Sequence, residues 1–209
     1  AIVVLPSNLF YGTTIPGAII FFDKNKPEER KDKVMMIYAA KEGWYREEAN
    51  MNVLEPHDIL RISTILESWG DTAKAQEWIT QQKQRLRNDI QEELDFELSE
   101  IENNYYEDIR RASERLSNAK KTVEEKLSNN KKPTAGELKN IDTAQKALDK
   151  LQNDKQVKIT AANEKADKKR NAIDEVEVEL MNMFADADLR KRYFSIVDMD
   201  EIEENEFNL

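Results

Sequence analysis

Residues 1–23 have the sequence AIVVLPSNLFYGTTIPGAIIFFD, in which two apolar runs flank a segment rich in glycine and proline. The runs, at residues 2–5 and 18–22, are short and consist mostly of β-branched and aromatic residues. Such runs predict buried strands rather than helices. The intervening segment contains four residues that interrupt regular structure: Pro6, Gly12, Pro16 and Gly17. We therefore expect two strands joined by an irregular loop.

Phe10 and Tyr11 lie beside Gly12 in this loop. Loops carried by a rigid scaffold are where binding and catalytic residues concentrate. The two aromatic side chains could therefore contact a ligand, or they could simply cover the end of the core. The composition of the loop favours neither alternative.

The remainder of the predicted sheet domain lies in two separate parts of the chain. Residues 34–39 are apolar on both faces, which predicts a central strand, and residues 195–197 predict a short strand that brings the chain back to the sheet. Residues 42–54 look irregular, and residues 55–69 predict a helix with Pro56 in its first turn. Four apolar residues would share one face of that helix: Ile59, Ile62, Leu66 and Trp69.

The middle of the chain predicts two long helices. Residues 72–128 contain no glycine or proline, and their apolar residues recur about every 3.7 positions, which predicts a straight or slightly right-handed pair. Residues 129–134 interrupt the pattern, and Thr134 with Glu137 forms a capping-box sequence that starts the return helix. The outward stripe comprises Leu86, Ile90, Leu94, Leu98, Ile101, Tyr105, Ile109, Ala112, Leu116, Ala119, Val123 and Leu127. The return stripe comprises Leu138, Ile141, Leu148, Leu151, Ile159, Ala162, Ala166, Ile173, Val176 and Leu180. A short break between long amphipathic helices predicts an antiparallel helical hairpin, a coiled coil.

Composition restricts the functions available to the chain. The net charge is −10 and the sequence contains no cysteine and one histidine, His57. The negative charge argues against autonomous DNA binding, which usually needs a basic face. The absence of cysteine fits a reducing compartment, and no zinc site or Ser-His-Asp set is available. The five glycines form neither a GxGxxG nor a P-loop sequence. We therefore assign no catalytic, cofactor-binding or metal-binding residue in this chain, and we expect neither a signal peptide nor a membrane span.

Several segments closely resemble the modification subunit of type I restriction–modification systems, a group of N6-adenine DNA methyltransferases. The most specific is LPSNLFYGTTIP at residues 5–16, followed by IIFFDKNK at residues 19–26. Weaker matching segments are residues 34–40, 52–54, 58–59, 197–202 and 205–209. The hairpin between these segments carries no family signal.

The resemblance implies an α+β fragment, namely the C-terminal strands of a Rossmann-like methyltransferase domain followed by the hairpin. In such subunits S-adenosylmethionine binds a glycine-bearing loop, and an Asn-Pro-Pro-aromatic motif holds the target amino group. This sequence contains no Asn-Pro-Pro. We therefore expect both motifs upstream of Ala1, and we expect the fragment to be inactive alone. Its expected domains are residues 1–69 (catalytic domain), 70–187 (hairpin) and 188–209 (return segment).

The resemblance also implies a role for the loop. Phe10 occupies the position of an aromatic residue that stacks on the flipped target adenine, and Tyr11 is the second candidate. Asn8, Gly12 and Pro16 would support the loop.

The implied partners are DNA and the specificity subunit, with the restriction subunit or a second copy of the chain as further possibilities for the hairpin. The implied location is the cytoplasm of a bacterium or archaeon. The target DNA sequence would be set by another subunit. The alternative is a non-catalytic coiled-coil module that serves a structural or interaction role.

Overall fold

The computed structural model describes residues 1–204, so the expected family segment at residues 205–209 lies outside the described residues. The chain divides into two compact units. The first comprises Ala1–Asn88 and the chain from Lys169 onward, and the second comprises Asp89–Lys168. The first is mixed α and β and the second is entirely helical apart from one turn, as the α+β class predicts.

The four strands of the mixed sheet, the helix at residues 56–68 and the two long helices follow the order expected from the sequence. The strands are β1 (Ile2–Val4), β2 (Ala18–Ile20), β3 (Lys33–Tyr38), β4 (Arg46–Glu47), β5 (Asn52–Val53) and β6 (Phe194–Asp198). The helices are α1 (Pro56–Ser68), α2 (Thr72–Ser128), α3 (Ala135–Ala185), α4 (Ala187–Arg190) and α5 (Met199–Glu204), with a 3-10 turn at Glu28–Arg30. No helix among these residues combines the length and the apolar character needed to cross a bilayer.

Four strands form a mixed sheet in the order β2-β1-β3-β6. β1 runs parallel to β3, while β2 and β6 are antiparallel to their neighbours. Val3 lies opposite Ile37, and Ile37 lies opposite Phe194, so the register places three buried side chains side by side. The expected central position of the third strand and the return of the chain to the sheet are both confirmed.

The predicted burial of the second apolar run is wrong. The run does form a strand, but all three residues of β2 are exposed, and Phe22 just beyond it is 89% exposed. The reason is its place in the sheet, because β2 is an edge strand bordered only by β1 among the described residues.

Two further predictions for the first unit need correction. The segment at residues 42–54 is not wholly irregular, because β4 and β5 pair as a short antiparallel ladder. The extent of α1 is as predicted, but its buried face carries Leu60, Thr64 and Ile65, and Ile59 is 53% exposed. Thr64 can face the core because its hydroxyl donates to the Leu60 carbonyl at 2.7 Å, so burial leaves no polar group unsatisfied.

A buried polar network ties α1 to the end of α3 within the first unit. The Arg61 guanidinium donates to Asp58 Oδ1 at 2.6 Å and to Glu179 Oε2 at 2.8 Å. Trp44 Nε1 donates to the other Glu179 oxygen at 3.2 Å, and the Trp44 indole stacks on Tyr193 with ring centroids 5.0 Å apart. Every charge in this buried group therefore has a partner, as burial of ionised side chains requires.

The contacts between α2 and α3 show that the two helices run antiparallel. In the first unit Lys83 bridges Asp174 and Glu177, and Arg87 also reaches Asp174. In the second unit Glu102 pairs with Lys155 at 2.5 Å, and Lys126 pairs with Glu137 at 2.5 Å. Residues later in α2 therefore pair with residues earlier in α3, as antiparallel helices require.

The apolar stripes expected on these helices lie mostly in their contact. Ala112, Leu116 and Leu148 form a buried cluster in the second unit, with Ile109 and Ile141 packed against it. Leu127 and Leu138 are exceptions, since they are 55% and 51% exposed. Both lie next to the turn, where each helix has little of its partner left to contact.

Candidate functional site

The segment between β1 and β2, residues 5–17, contains every side chain singled out from the sequence as a site residue; we call it the aromatic loop. Its two ends are held together by a hydrogen bond from the Leu5 N–H to the Gly17 carbonyl at 2.9 Å. The antiparallel pairing of β1 and β2 begins directly beyond, with Val4 opposite Ala18. Leu5 is buried at 4% exposure, so the base of the loop belongs to the core.

The first bend of the aromatic loop is at Asn8, where φ is 54°. This left-handed conformation is unusual for a residue with a side chain, although Asn tolerates it better than most. Asn52, on β5, meets the bend with two hydrogen bonds. Its backbone N–H donates to the Asn8 carbonyl at 2.7 Å, and its Nδ2 donates to the Ser7 carbonyl at 2.8 Å. The strained bend is therefore held by a residue far away in the sequence.

The far end of the aromatic loop is a turn from Phe10 to Thr13. The Thr13 N–H donates to the Phe10 carbonyl at 3.3 Å, and the Ile15 N–H donates to Thr13 Oγ1 at 3.1 Å. Gly12 has φ of 79°, which suits the one residue type without a Cβ. The Phe10 side chain in this turn is half exposed and the Tyr11 side chain is fully exposed.

The two aromatic side chains differ in how they are supported. Phe10 is 53% exposed, and its ring lies against Gly17. A Cβ built at Gly17 would come within 2.9 Å of Phe10 Cε2. Tyr11 is 100% exposed. One edge of the Phe10 ring therefore lies near Gly17 while about half of the side chain is open to solvent, whereas the Tyr11 side chain is fully exposed.

The remaining predicted support residues lie in the aromatic loop, and their roles stay predictions. Asn8 and Gly12 occupy its two positive-φ positions. Pro16 is exposed and immediately precedes Gly17. Two residues that contact the loop or its aromatic ring, Gly17 and Asn52, were not identified as site residues from the sequence. A signal for each was present, because Gly17 directly follows the most specific matching segment and Asn52 begins another.

The aromatic loop carries no acid–base machinery. Among residues 1–204 no group of three His, Cys, Asp or Glu side chains is arranged to hold a metal ion. His57 lies at the start of α1 beside Glu55 and Asp58, outside the loop. A cavity of about 460 Å³ is lined by Ile20, Phe22, Arg30 and Trp69 among others, and no residue of the loop lines it. The outer part of the loop exposes three large apolar side chains, Phe10, Tyr11 and Ile15.

Comparison with known proteins decides the family. The model of a family described as N-6 DNA Methylase matches residues 1–114, which is more than half of the chain and includes the whole aromatic loop. The chain belongs to the N-6 DNA methylase family. The resemblance noted from the sequence is therefore confirmed.

Two curated proteins of Methanocaldococcus jannaschii are similar to this N-6 DNA methylase chain. The type I restriction enzyme MjaVII methylase subunit is 42% identical over 72 residues, and the MjaVIII methylase subunit is 39% identical over 72 residues. Each match covers 34% of this chain and 12% of the relative, so the chain spans only a small part of their length. No solved structure gives a significant match.

Proposed function

We propose that the chain is the base-contacting and assembly part of a type I modification subunit, which transfers a methyl group from S-adenosylmethionine to N6 of adenine in DNA. The observation that carries the proposal is the half-exposed Phe10 ring, backed by Gly17 in a loop of an N-6 DNA methylase. The relatives that the chain matches are methylase subunits of type I restriction enzymes.

The chemistry of adenine methylation requires such a surface. The N6 amino group of an adenine in a duplex is out of reach of an active site, so the enzyme extrudes the base and holds it by stacking and edge contacts. Stacking on an aromatic side chain contributes roughly 1–3 kcal/mol per base. A ring that already packs against the chain along one edge loses less conformational freedom on stacking than a fully exposed ring does.

Phe10 fits the stacking role better than Tyr11. The Phe10 ring rests on Gly17 and is pre-positioned, whereas the fully exposed Tyr11 would have to be ordered by the ligand. We therefore assign base stacking to Phe10 and a secondary contact with the DNA to Tyr11. Asn8, Gly12 and Pro16 give the loop its shape.

The methyl donor would be bound by another part of the protein. The sequence lacks an Asn-Pro-Pro motif and a glycine-rich turn of the kind that cradles such a cofactor, so these residues do not fit S-adenosylmethionine. The mixed sheet, with β1 and β3 parallel, supports its assignment as the last strands of a Rossmann-like domain. We expect the chain to be inactive by itself.

We assign the antiparallel α2–α3 pair to subunit assembly, as a coiled-coil hairpin that binds the specificity subunit. Several large apolar side chains remain exposed on these helices within the second unit, which supports a docking role: Phe96, Tyr106 and Val157. Binding to the restriction subunit or to a second copy is the competing outcome. The division into residues 1–69, 70–187 and 188–209 remains part of the proposal.

The test uses the full-length protein that contains this chain, expressed with its specificity subunit in a host without adenine methylation. We expect N6-methyladenine at one recurrent sequence in the host DNA. Replacement of residues 89–168, the second unit, by a short Gly-Ser linker should abolish binding of the specificity subunit while leaving S-adenosylmethionine binding intact. An absence of N6-methyladenine with the unaltered protein would instead favour the non-catalytic coiled-coil module.

A further inference from the structure

Asn52 makes a contact with the aromatic loop that the proposed function does not yet use. Asn52 is polar and only 8% exposed. Its side-chain amide nitrogen, Nδ2, donates a hydrogen bond to the Ser7 carbonyl at 2.8 Å. Ser7 and Asn52 are 45 residues apart in the sequence. A buried donor aimed at a loop carbonyl holds that carbonyl in one orientation, because leaving it unpaired would be costly.

The Ser7 carbonyl, which accepts from Asn52 Nδ2, lies three residues before Phe10 in the sequence. Asn8, the next residue, has φ of 54°, and its own carbonyl accepts from the Asn52 backbone N–H at 2.7 Å. A residue with a side chain occupies this left-handed region only when its surroundings compensate the strain. Both compensating bonds come from Asn52, and the direction in which the chain leaves Asn8 sets the position of Phe10.

We propose that Asn52 is a positioning residue for base stacking, which keeps Phe10 in place through the Ser7 and Asn8 carbonyls. This inference rests on the proposed function, since it presumes that Phe10 contacts the target base. It also gives the β4–β5 ladder a role, because Asn52 is a residue of β5 and lies opposite Glu47.

The Asn52→Asp substitution isolates the side-chain bond. Aspartate has nearly the same shape as asparagine, but its ionised form cannot donate to the Ser7 carbonyl. When protonated it donates one hydrogen bond and can restore the contact. Burial and two nearby carbonyls disfavour the ionised form and raise the pKa of such a carboxyl above its ordinary range. Of the charged groups on the paired strand β4, Glu47 lies opposite residue 52 and further disfavours an ionised carboxyl there, whereas Arg46 favours it.

The experiment measures methyl transfer from labelled S-adenosylmethionine to unmethylated DNA by the full-length subunit in its complex, from pH 6 to pH 8. We expect kcat of Asn52→Asp to fall between about ten- and a hundredfold at pH 8, with an unchanged KM for S-adenosylmethionine. The deficit relative to the unaltered protein should narrow toward pH 6. Asn52→Leu should show the same deficit at every pH. Asn25→Asp, the same change at an exposed site between β2 and β3, should have no effect.

A double variant separates positioning from a general loss of stability. If Asn52 acts through Phe10, adding Asn52→Asp to Phe10→Ala should lower the rate of methyl transfer almost no further. If the two residues act independently, the two losses of rate should combine. Additive losses, or a deficit of Asn52→Asp that is absent or constant across pH, would overturn the positioning role. Full activity of Phe10→Ala alone would instead overturn the stacking proposal, so the two failures are distinguishable.

Discussion

The Phe10 ring lies directly against the backbone of Gly17, at the point where the aromatic loop rejoins the sheet. A side chain as small as alanine at residue 17 would place its Cβ 2.9 Å from Phe10 Cε2, closer than such atoms approach in folded proteins. The atom that must move is the far edge of a side chain that is half exposed, so the ring rather than the backbone would yield.

Gly17→Ala is therefore expected to move the Phe10 ring without unfolding the protein. Methyl transfer by the full-length complex should fall by about tenfold or more, because small displacements of a positioned group are costly in rate. The midpoint of thermal unfolding should change little. Gly136→Ala, near the start of α3 and with no close neighbour beyond Thr134, is the matched control for the unfolding measurement, and its midpoint should also change little. Equal activity of Gly17→Ala and the unaltered protein would contradict the importance of the Phe10–Gly17 contact.

Phe10→Ala and Tyr11→Ala test which aromatic side chain contacts the base. Loss of a stacking contact of roughly 1–3 kcal/mol corresponds to a decrease of about five- to 150-fold in transfer rate, and we expect this for Phe10→Ala. Tyr11→Ala should cost less than Phe10→Ala, because the Tyr11 ring has no support in the loop. Phe10→Trp should retain activity if stacking is the role. The measurement is single-turnover methyl transfer, with S-adenosylmethionine binding as the control. A larger loss with Tyr11→Ala would reverse the assignment.

Arg61→Ala tests the buried network of the first unit. The substitution leaves Asp58, only 2% exposed, without its cationic partner, and it also removes a partner of Glu179. Breaking a buried ion pair on one side typically lowers the free energy of unfolding by about 3–5 kcal/mol. Arg110→Ala removes an exposed arginine that pairs with Glu107 and Glu114, and it should lower the free energy of unfolding far less than Arg61→Ala, because exposed ion pairs contribute little. Urea unfolding of both variants gives the comparison, and equal effects would show that the network contributes little.

Glu137 predicts a pH dependence at the start of α3. Its ion pair with Lys126 and its hydrogen bonds from Thr134 lower the pKa of the Glu137 carboxyl from 4.5 to about 2. A carboxyl with a depressed folded-state pKa stabilises the fold fully above its unfolded value, and this stabilisation disappears as the pH falls through the folded-state pKa. The stability difference between the unaltered protein and Glu137→Gln should therefore be constant above about pH 5 and shrink from there toward pH 2.

The measurement for Glu137 is the free energy of unfolding at each pH for both proteins. Comparing the two proteins is necessary because the pKa values of Asp174 and Glu177, which pair with Lys83, are also lowered. Asp174 and Glu177 are present in both proteins, so their contributions to the pH dependence of stability cancel when the two free energies of unfolding are subtracted. A constant difference for Glu137→Gln would refute the prediction.

Much of the candidate site could be located from the sequence. Asn8, Phe10, Tyr11, Gly12 and Pro16 are contiguous, so identifying the segment places them all in one loop. Nothing in the segment shows that the Phe10 ring rests on Gly17 or that Tyr11 is fully exposed, because both depend on the path of the backbone. Asn52 could be noticed as part of a matching segment, but its two hydrogen bonds to the loop could not.

The sequence by itself determined the four strands of the mixed sheet, the two long helices and the turn between them. Glycine and proline positions, apolar periodicity and the Thr134–Glu137 cap act through neighbours in the chain, so their effects can be inferred locally. Only the tertiary structure decided that β2 is an exposed edge, that α1 buries Thr64 rather than Ile59, and that Asn52 holds the aromatic loop. These outcomes depend on which distant segment lies across from each residue, and strand burial in particular reflects packing context more than intrinsic preference.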